Sequence, residues 1–411
     1  MNANSAIVIA GASLAGAKAA ETLRTEGFGG PVVLIGAEPE RPYERPPLSK
    51  DYLLGKAGRE SIYVHPADWY DEHGVTLRLG TTVTGVDRAG HEVLLADGSR
   101  VGYAKLLLAT GSAPRRLTVP GAGLDGVLYL RQVEDSDQIR AAFQTASRVV
   151  VIGGGWIGLE TAAAARAAGA EVTILEAADL PLLRVLGPEV ARVFAGLHTE
   201  HGVDLRTSVQ VAEITGTGGH ADGVRLADGS RIPADVIIAG VGITPRTGLA
   251  EAAGLAVANG VQVDAQLRTA DPDIFAAGDV ANAFHPRLGT SIRVEHWANA
   301  LHQPQAAARA MLGQDASYDR LPYFFTDQYD LGMEYSGYVP PGGYDEVVLR
   351  GDVAGREFLA FWLSGGRVLA GMNVNIWDQT DAIQELVRSG QPVAAGQLAD
   401  PERPLAGLGQ S

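Results

Sequence analysis

Six consecutive residues, Gly153-Gly154-Gly155-Trp156-Ile157-Gly158, followed at a distance by Glu176, form the sharpest chemical pattern in the sequence. In such a run Gly153 permits a tight turn, Gly155 lets the backbone approach a pyrophosphate, and Gly158 lets a helix pack closely on a strand. A helix opening at Trp156 and Ile157 presents unpaired N–H groups and a positive dipole end to the phosphates. Glu176 is placed to accept a hydrogen bond from a ribose 2′-hydroxyl and to repel a 2′-phosphate, so the pattern favours NAD(H) over NADP(H). Arg184, close by in sequence, keeps some capacity to accommodate a phosphate.

The pattern occurs twice. Near the N-terminus, in the stretch from Ser5 to Glu38, Gly11, Gly16 and Glu38 take the corresponding places, Leu14 and Ala15 open the helix, and Ser13 stands where the middle glycine is expected. A serine side chain crowds an approaching pyrophosphate, although its hydroxyl can donate to one. The elements around the second copy are those the chemistry requires. The β-branched run RVVVIG reads as a strand buried on both faces, and the alanine-rich segment to Ala168 favours helix. Gly169 then ends the helix, and EVTILE reads as the next strand. Two dinucleotide folds suggest two dinucleotides, of which a flavin and a nicotinamide are the natural pair. Further buried-strand runs end in Thr110-Gly111 (Leu106 to Ala109), in Gly242 (Val236 onward) and in Gly278-Asp279 (Ile274 to Ala277).

Composition narrows the chemistry. Among 411 residues there is no cysteine. That removes disulfides, thiolate nucleophiles, redox-active dithiols and cysteine-ligated metal centres together, and any redox step must use a bound cofactor. A formal net charge of −15 argues against nucleic-acid binding by the chain as a whole. The nine histidines are scattered and no His, Asp and Glu set has metal spacing, so no metal is expected. No apolar run approaches the ~20 residues of a membrane span, and the first residues lack a signal-peptide pattern. A cytoplasmic protein without membrane contact is expected.

With the ATG stretch at Ala109-Thr110-Gly111 and the GD stretch at Gly278-Asp279, the chain resembles the two-dinucleotide-binding flavoproteins, in which both stretches flank FAD. YERPPLSKDYL (Tyr43–Leu53) and VEHWANALHQPQAAARAMLG (Val294–Gly313) narrow the likeness to the NADH-dependent ferredoxin reductases of oxygenase systems. The resemblance implies that Asp279 bonds the ribityl and phosphate side of FAD, that Lys50 lies near the flavin ring, and that Trp297 lies beside it. It implies that Arg45 and Arg131 line the FAD site, bordered by Val83, Val280, Glu295 and His296. Glu160 is expected near the nicotinamide side of the flavin, and Gly242 at the NAD site. His296 reads as structural, because hydride transfer to a flavin needs no general base. Pro304 stands where these proteins often carry glycine, and a kinked helix is expected unless it falls in the first turns.

The activity so implied is electron transfer from NADH through FAD to a [2Fe–2S] ferredoxin that supplies a P450 or a ring-hydroxylating dioxygenase. Oxygen or a quinone remains open as acceptor, as does an apoptosis-inducing-factor-like role in binding partners. Arg287, Arg293, Arg309 and Arg320, with Lys50 and Lys56, are the candidate charges for an acidic ferredoxin. The expected fold is α/β, with two Rossmann-like domains of glutathione-reductase type and a C-terminal α+β domain. The FAD-binding domain takes residues 1–113 and 245–322, the NAD-binding domain 114–244, and an antiparallel sheet with a frayed tail 323–411. A monomer or weak homodimer is expected.

Overall fold

A run of four apolar residues, Ile7–Ala10, forms the central strand of the first sheet because both of its faces are covered and every residue is buried. The computed structural model describes residues 6–408, so Ser5 and the last three residues of the expected tail lie outside the described residues. The chain divides into two compact units. One takes the residues up to Arg45 together with Gly58–Ala113 and Ile243–Arg320; the other takes Pro46–Ala57, Pro114–Gly242 and the residues from Leu321 onward.

In the first unit the strand order is Ile274–Ala276, Lys105–Leu108, Ile7–Ala10, Val32–Ile35, Val75–Arg78, all parallel. Ile7 pairs with Val32 on one side and Lys105 on the other, so the strand order reverses at Ile7–Ala10. Ligands bind at such a switch point, outside the carboxyl ends of the strands. The helix Leu14–Thr25 packs on the helix Trp297–Met311 through small side chains, with Ala17, Ala19, Ala20, Ala307 and Ala308 wholly buried. Pro304 is the eighth residue of that helix, well past its first turns, and the helix nevertheless continues to Met311. Burial of Ala306 to Ala308, Ala310 and Met311 beyond the proline holds the last turns in place.

The second unit repeats the first arrangement. Its parallel sheet runs Asp204–Arg206, Glu171–Leu175, Arg148–Ile152, Val236–Ala239, Val127–Leu128, with Val149 between Val172 and Val236 at the second switch point. It also contains a five-stranded antiparallel sheet ordered Tyr323–Gln328, Leu331–Gly337, Arg367–Val374, Glu357–Ser364, Glu346–Asp352. The helix Trp156–Ala167 contacts the first of these strands, and Trp156 packs edge-on to Phe194 with ring centroids 5.5 Å apart and against Phe324 at 5.1 Å. The helical stretch Leu183–Glu200 is interrupted at Gly187, with φ +73, and Pro188 follows. The fully buried Trp362 indole donates to the Leu186 carbonyl at the break, at 3.0 Å.

The tail departs from expectation. Residues Ala395–Ala399 form a helix, and Leu398 and Leu405 are buried against Leu359, Phe361 and Ile383, so apolar anchors offset the glycine and proline content that suggested fraying.

Candidate dinucleotide-binding and electron-transfer site

The glycines of the two turns divide into two kinds by what surrounds them. A Cβ on Gly153, whose φ is +105, would lie 2.4 Å from the Gly240 carbonyl, and one on Gly158 would lie 2.1 Å from the Gly153 carbonyl. These two glycines serve the fold. A Cβ on Gly155 would have nothing nearer than the Gly240 oxygen at 4.0 Å, so the absence of a side chain there serves no packing need in the protein. Gly155 is the N-cap of the helix Trp156–Ala167, whose first turn holds no acidic residue. The space beside Gly155 and the unneutralised helix end fit a diphosphate.

The first unit shows the same logic. Cβ atoms on Gly11 and Gly16 would lie 2.0 Å from the carbonyls of Ala109 and Gly11 respectively. Ser13 is the N-cap of the helix Leu14–Thr25 and its side chain makes no capping hydrogen bond; the first turn, with Leu14 and Ala15 buried, has no acidic residue. Ser13 therefore leaves the helix end available to an anion. Ala109 and Val83 are buried, Thr110 Oγ1 donates to the Arg246 carbonyl at 2.9 Å, and Gly111 accepts from the Arg246 N–H at 2.9 Å.

Glu176 directly follows the strand Glu171–Leu175, Glu38 lies three residues beyond the strand Val32–Ile35, and the two keep different company. Glu38 accepts from the Tyr43 hydroxyl and from Arg45 Nη2, the latter at 2.7 Å. Burial opposes the charge of the Arg45 guanidinium, but Tyr43, Glu38 and Asp279 outweigh it and raise its pKa. Arg45, Glu38 and Asp279 thus share one electrostatic site. Glu176 folds over the glycine turn, Oε2 accepting from the Gly154 N–H at 2.6 Å and Oε1 from the Ala178 N–H at 2.7 Å. Each oxygen retains a lone pair for another donor. Arg184 and Ile157 are exposed, and Gly242 takes φ +98 with Arg115 alongside.

Lys50 and Glu160 were expected on separate grounds, and they meet. Both fold with the second unit. Glu160 is 4% exposed; its Oε1 accepts from Lys50 Nζ at 2.6 Å and from Thr326 Oγ1 at 2.6 Å, and its Oε2 accepts from Ser49 Oγ. Lys50 Nζ also lies 5.4 Å from the Phe325 ring centroid. Donors so placed meet the hydrogen-bonding needs of a buried carboxyl group that water scarcely reaches. Arg131, also in the second unit, precedes the helix Val133–Phe143, and its N–H donates to Asp135 Oδ2 at 2.8 Å.

Asp279 lies in the short 3₁₀ turn Gly278–Val280, and Val280 is wholly buried. The Gly278 N–H donates to the buried Gln303 side chain at 2.8 Å, which ties the turn to the helix Trp297–Met311. His296 caps that helix through its backbone, no acidic residue occupies the first turn, and burial pushes the imidazole down to about 4. It is neutral at physiological pH. Trp297 Nε1 donates to Glu44 at 3.2 Å, and desolvation raises the Glu44 carboxyl.

The expected cationic patch is corrected. Arg293 is largely buried and pairs with Glu295, Arg309 pairs with Glu26 at 2.8 Å, and Arg287 pairs with Asp319 at 3.1 Å. Lys50 is taken by Glu160. Acidic neighbours brought close by the fold neutralise charges that stand alone in sequence; Lys56 and Arg320 are exposed. Sequence reasoning missed Ser49, Thr326 and Glu44. For Thr326 a signal existed, a polar residue on the buried face of an alternating strand. Among the described residues there is no group of three or more His, Asp or Glu fit to hold a metal, and no helix long and apolar enough to cross a membrane.

Residues 5–304 match the family described as pyridine nucleotide-disulphide oxidoreductase, and residues 323–408 match the reductase C-terminal family. The ferredoxin–NAD(+) reductase component of the anthranilate 1,2-dioxygenase system of Burkholderia cepacia is 43% identical over 399 residues, covering 96% of this chain and 97% of that protein. Putidaredoxin reductase of Pseudomonas putida is 40% identical over 411 residues, covering 98% and 97%. Among solved structures, the covalent putidaredoxin reductase–putidaredoxin complex matches with a TM-score of 0.95 at 39% identity, covering 99% of this chain and 98% of that one.

Proposed function

This chain belongs to the pyridine nucleotide-disulphide oxidoreductase family, and from that premise we propose that it passes electrons from NADH through FAD to a [2Fe–2S] ferredoxin serving an oxygenase. One observation carries the reading: two strand-to-helix glycine turns, the first with Ser13 in the middle position, at two switch points, in a chain with no cysteine to relay electrons onward. The family's disulphide chemistry is closed to such a chain, which leaves electron transfer directly from the cofactor.

FAD, when bound, accepts two electrons from NADH and releases them one at a time. The residues do the rest. The turn at Gly11, with Ser13 and the helix Leu14–Thr25, holds the FAD diphosphate, while Glu38, Arg45 and Asp279 hold its sugar side; Gly155 and the helix Trp156–Ala167 hold the NADH diphosphate. Glu176 accepts from the adenosine ribose. The Lys50–Glu160 pair, steadied by Ser49 and Thr326, would set the polarity beside the nicotinamide. The N-terminus of the helix Trp297–Met311, without acidic residues and capped by a neutral His296, offers its positive end to negative charge on the flavin. We assign residues 1–113 and 245–322 to the FAD-binding domain, 114–244 to the NAD-binding domain and 323–411 to the C-terminal domain. Lys56 and Arg320 are the remaining candidate contacts for an acidic partner. The reading extends to a cytoplasmic monomer or weak homodimer.

The test is reconstitution. Protein incubated with FAD should retain one FAD per chain through gel filtration, and anaerobic NADH should bleach its visible absorbance. Protein that retains no FAD, or a bound flavin that NADH leaves oxidised, would end the proposal.

A further inference from the structure

The strand Tyr323–Gln328 turns Phe324, Thr326 and Gln328 towards the core. Two of these three are polar, and Thr326 and Gln328 are each 1% exposed. Buried polar side chains are retained at no loss only when every partner is present, and apolar residues of similar shape often stabilise more. Here every partner is present. The Tyr329 hydroxyl lies 3.4 Å from His198 Nδ1; His198 Nε2 donates to Gln328 Oε1 at 2.9 Å; Gln328 Nε2 donates to Thr326 Oγ1 at 3.2 Å; Thr326 Oγ1 donates to Glu160 Oε1 at 2.6 Å.

The chain has one direction. Burial keeps His198 neutral, so with Nε2–H given to Gln328 its Nδ1 accepts from Tyr329. Gln328 has its carbonyl oxygen occupied and presents only N–H to Thr326. The single hydroxyl proton of Thr326 is then left for Glu160. At the far end Tyr329 takes φ +56 in the turn before the strand Leu331–Gly337, and its ring stacks on His201 at 3.7 Å. A non-glycine residue holds a left-handed conformation at some cost, met by surrounding contacts.

We infer that Gln328 and His198 are positioning residues, acting through Thr326 to fix the orientation of the Glu160 carboxylate and, through it, the ammonium of Lys50. The inference rests on the proposed placing of Glu160 beside the reacting nicotinamide. Rotation of the Thr326 hydroxyl is what the chain restricts. Without Gln328, Thr326 can rotate and Glu160 loses a fixed donor. Such outer partners typically alter activity on the order of tenfold when removed.

Stopped-flow reduction of the FAD-loaded protein by NADH supplies the first test. Gln328→Leu and Thr326→Val should each slow flavin reduction on the order of tenfold at saturating NADH, with NADH affinity little changed. Thr326→Ser, which keeps the hydroxyl, should recover the rate lost in Thr326→Val. Gln328→Leu should add nothing further in a Glu160→Gln background, since its effect passes through that carboxylate. A second readout is independent of turnover: the ring ¹⁵N shifts of His198 should move on Glu160→Gln, and should not respond to that change once Thr326 is valine. Should Gln328→Leu fail to fold, Gln328→Met takes its place. Normal reduction in the Gln328 variant alongside slow reduction in Glu160→Gln would overturn the inference and leave the functional reading standing. Normal reduction in Glu160→Gln itself would overturn the reading of Glu160, and the inference with it.

Discussion

One methyl group, added at two glycines three residues apart, should produce opposite failures. In Gly158→Ala the new Cβ lies 2.1 Å from the Gly153 carbonyl oxygen, a separation that forces helix Trp156–Ala167 away from its strand. Such overpacking costs about 1–3 kcal/mol, or about 2–4 °C of melting temperature per kcal/mol in a domain of this size. In Gly155→Ala the nearest atom is 4.0 Å away, and the backbone, at φ −81 and ψ 178, suits any L-residue. The apoprotein should melt as the parent does. The methyl nevertheless fills the space assigned to the NADH diphosphate, removing at least one charge-assisted bond worth roughly 1.5–3 kcal/mol. NADH should bind about 10- to 150-fold more weakly. Differential scanning fluorimetry of both variants, paired with NADH titration followed by protein fluorescence quenching, separates the two effects. The reasoning is refuted if Gly155→Ala loses stability while binding NADH normally, because the open space would then belong to the fold.

Glu176 should set nicotinamide choice: the parent should prefer NADH by on the order of 10 to 10³, from roughly 1.5–4 kcal/mol of lost bonding and repulsion. Glu176→Gln should narrow that preference in steady-state kinetics and, because it leaves the Gly154 or Ala178 N–H without an acceptor, should also weaken NADH itself; equal use of both nucleotides by the parent would contradict the placing of Glu176. Stability should fall in acid through His198, whose imidazole is pushed by burial to about 4 against about 6.5 in an unfolded chain. The fold disfavours the protonated ring, so its contribution is complete above pH 6.5 and is lost towards pH 4, by up to about 3 kcal/mol. Urea titrations at pH 7 and 4.5 should show a smaller loss in His198→Asn than in the parent; equal losses would count against it. Lys50→Met should destabilise by roughly 3–5 kcal/mol by leaving Glu160 buried without its cation, and adding Glu160→Gln should recover most of that in the same melts.

The glycine turns were legible because their requirements are local: a left-handed φ at Gly11 and Gly153, and close approach at Gly16 and Gly158, are conditions only glycine meets. The parallel strands were legible for a related reason, since burial on both faces leaves an unbroken apolar run such as Val236–Ala239. What the sequence hid was convergence. Glu160 meets Lys50 across 110 positions and Thr326 across 166, and no periodicity records such a meeting. The arginines misled for the same reason, because Glu26 lies far from Arg309 in sequence and 2.8 Å from it in the fold. Pro304 lies inside a helix that runs on to Met311, where burial of the alanines that follow it offsets the backbone hydrogen bond the proline removes.

Anaerobic transfer to an iron–sulfur protein tests the central claim most directly. FAD-loaded protein, reduced with one equivalent of NADH, is mixed in a stopped-flow cell with a [2Fe–2S] ferredoxin, and flavin and cluster absorbance are followed together. The account predicts that flavin reoxidises as two clusters are reduced per flavin, far faster than air-saturated buffer reoxidises the same protein. Flavin that stays reduced against a panel of such ferredoxins, yet reoxidises rapidly in oxygen, would contradict it.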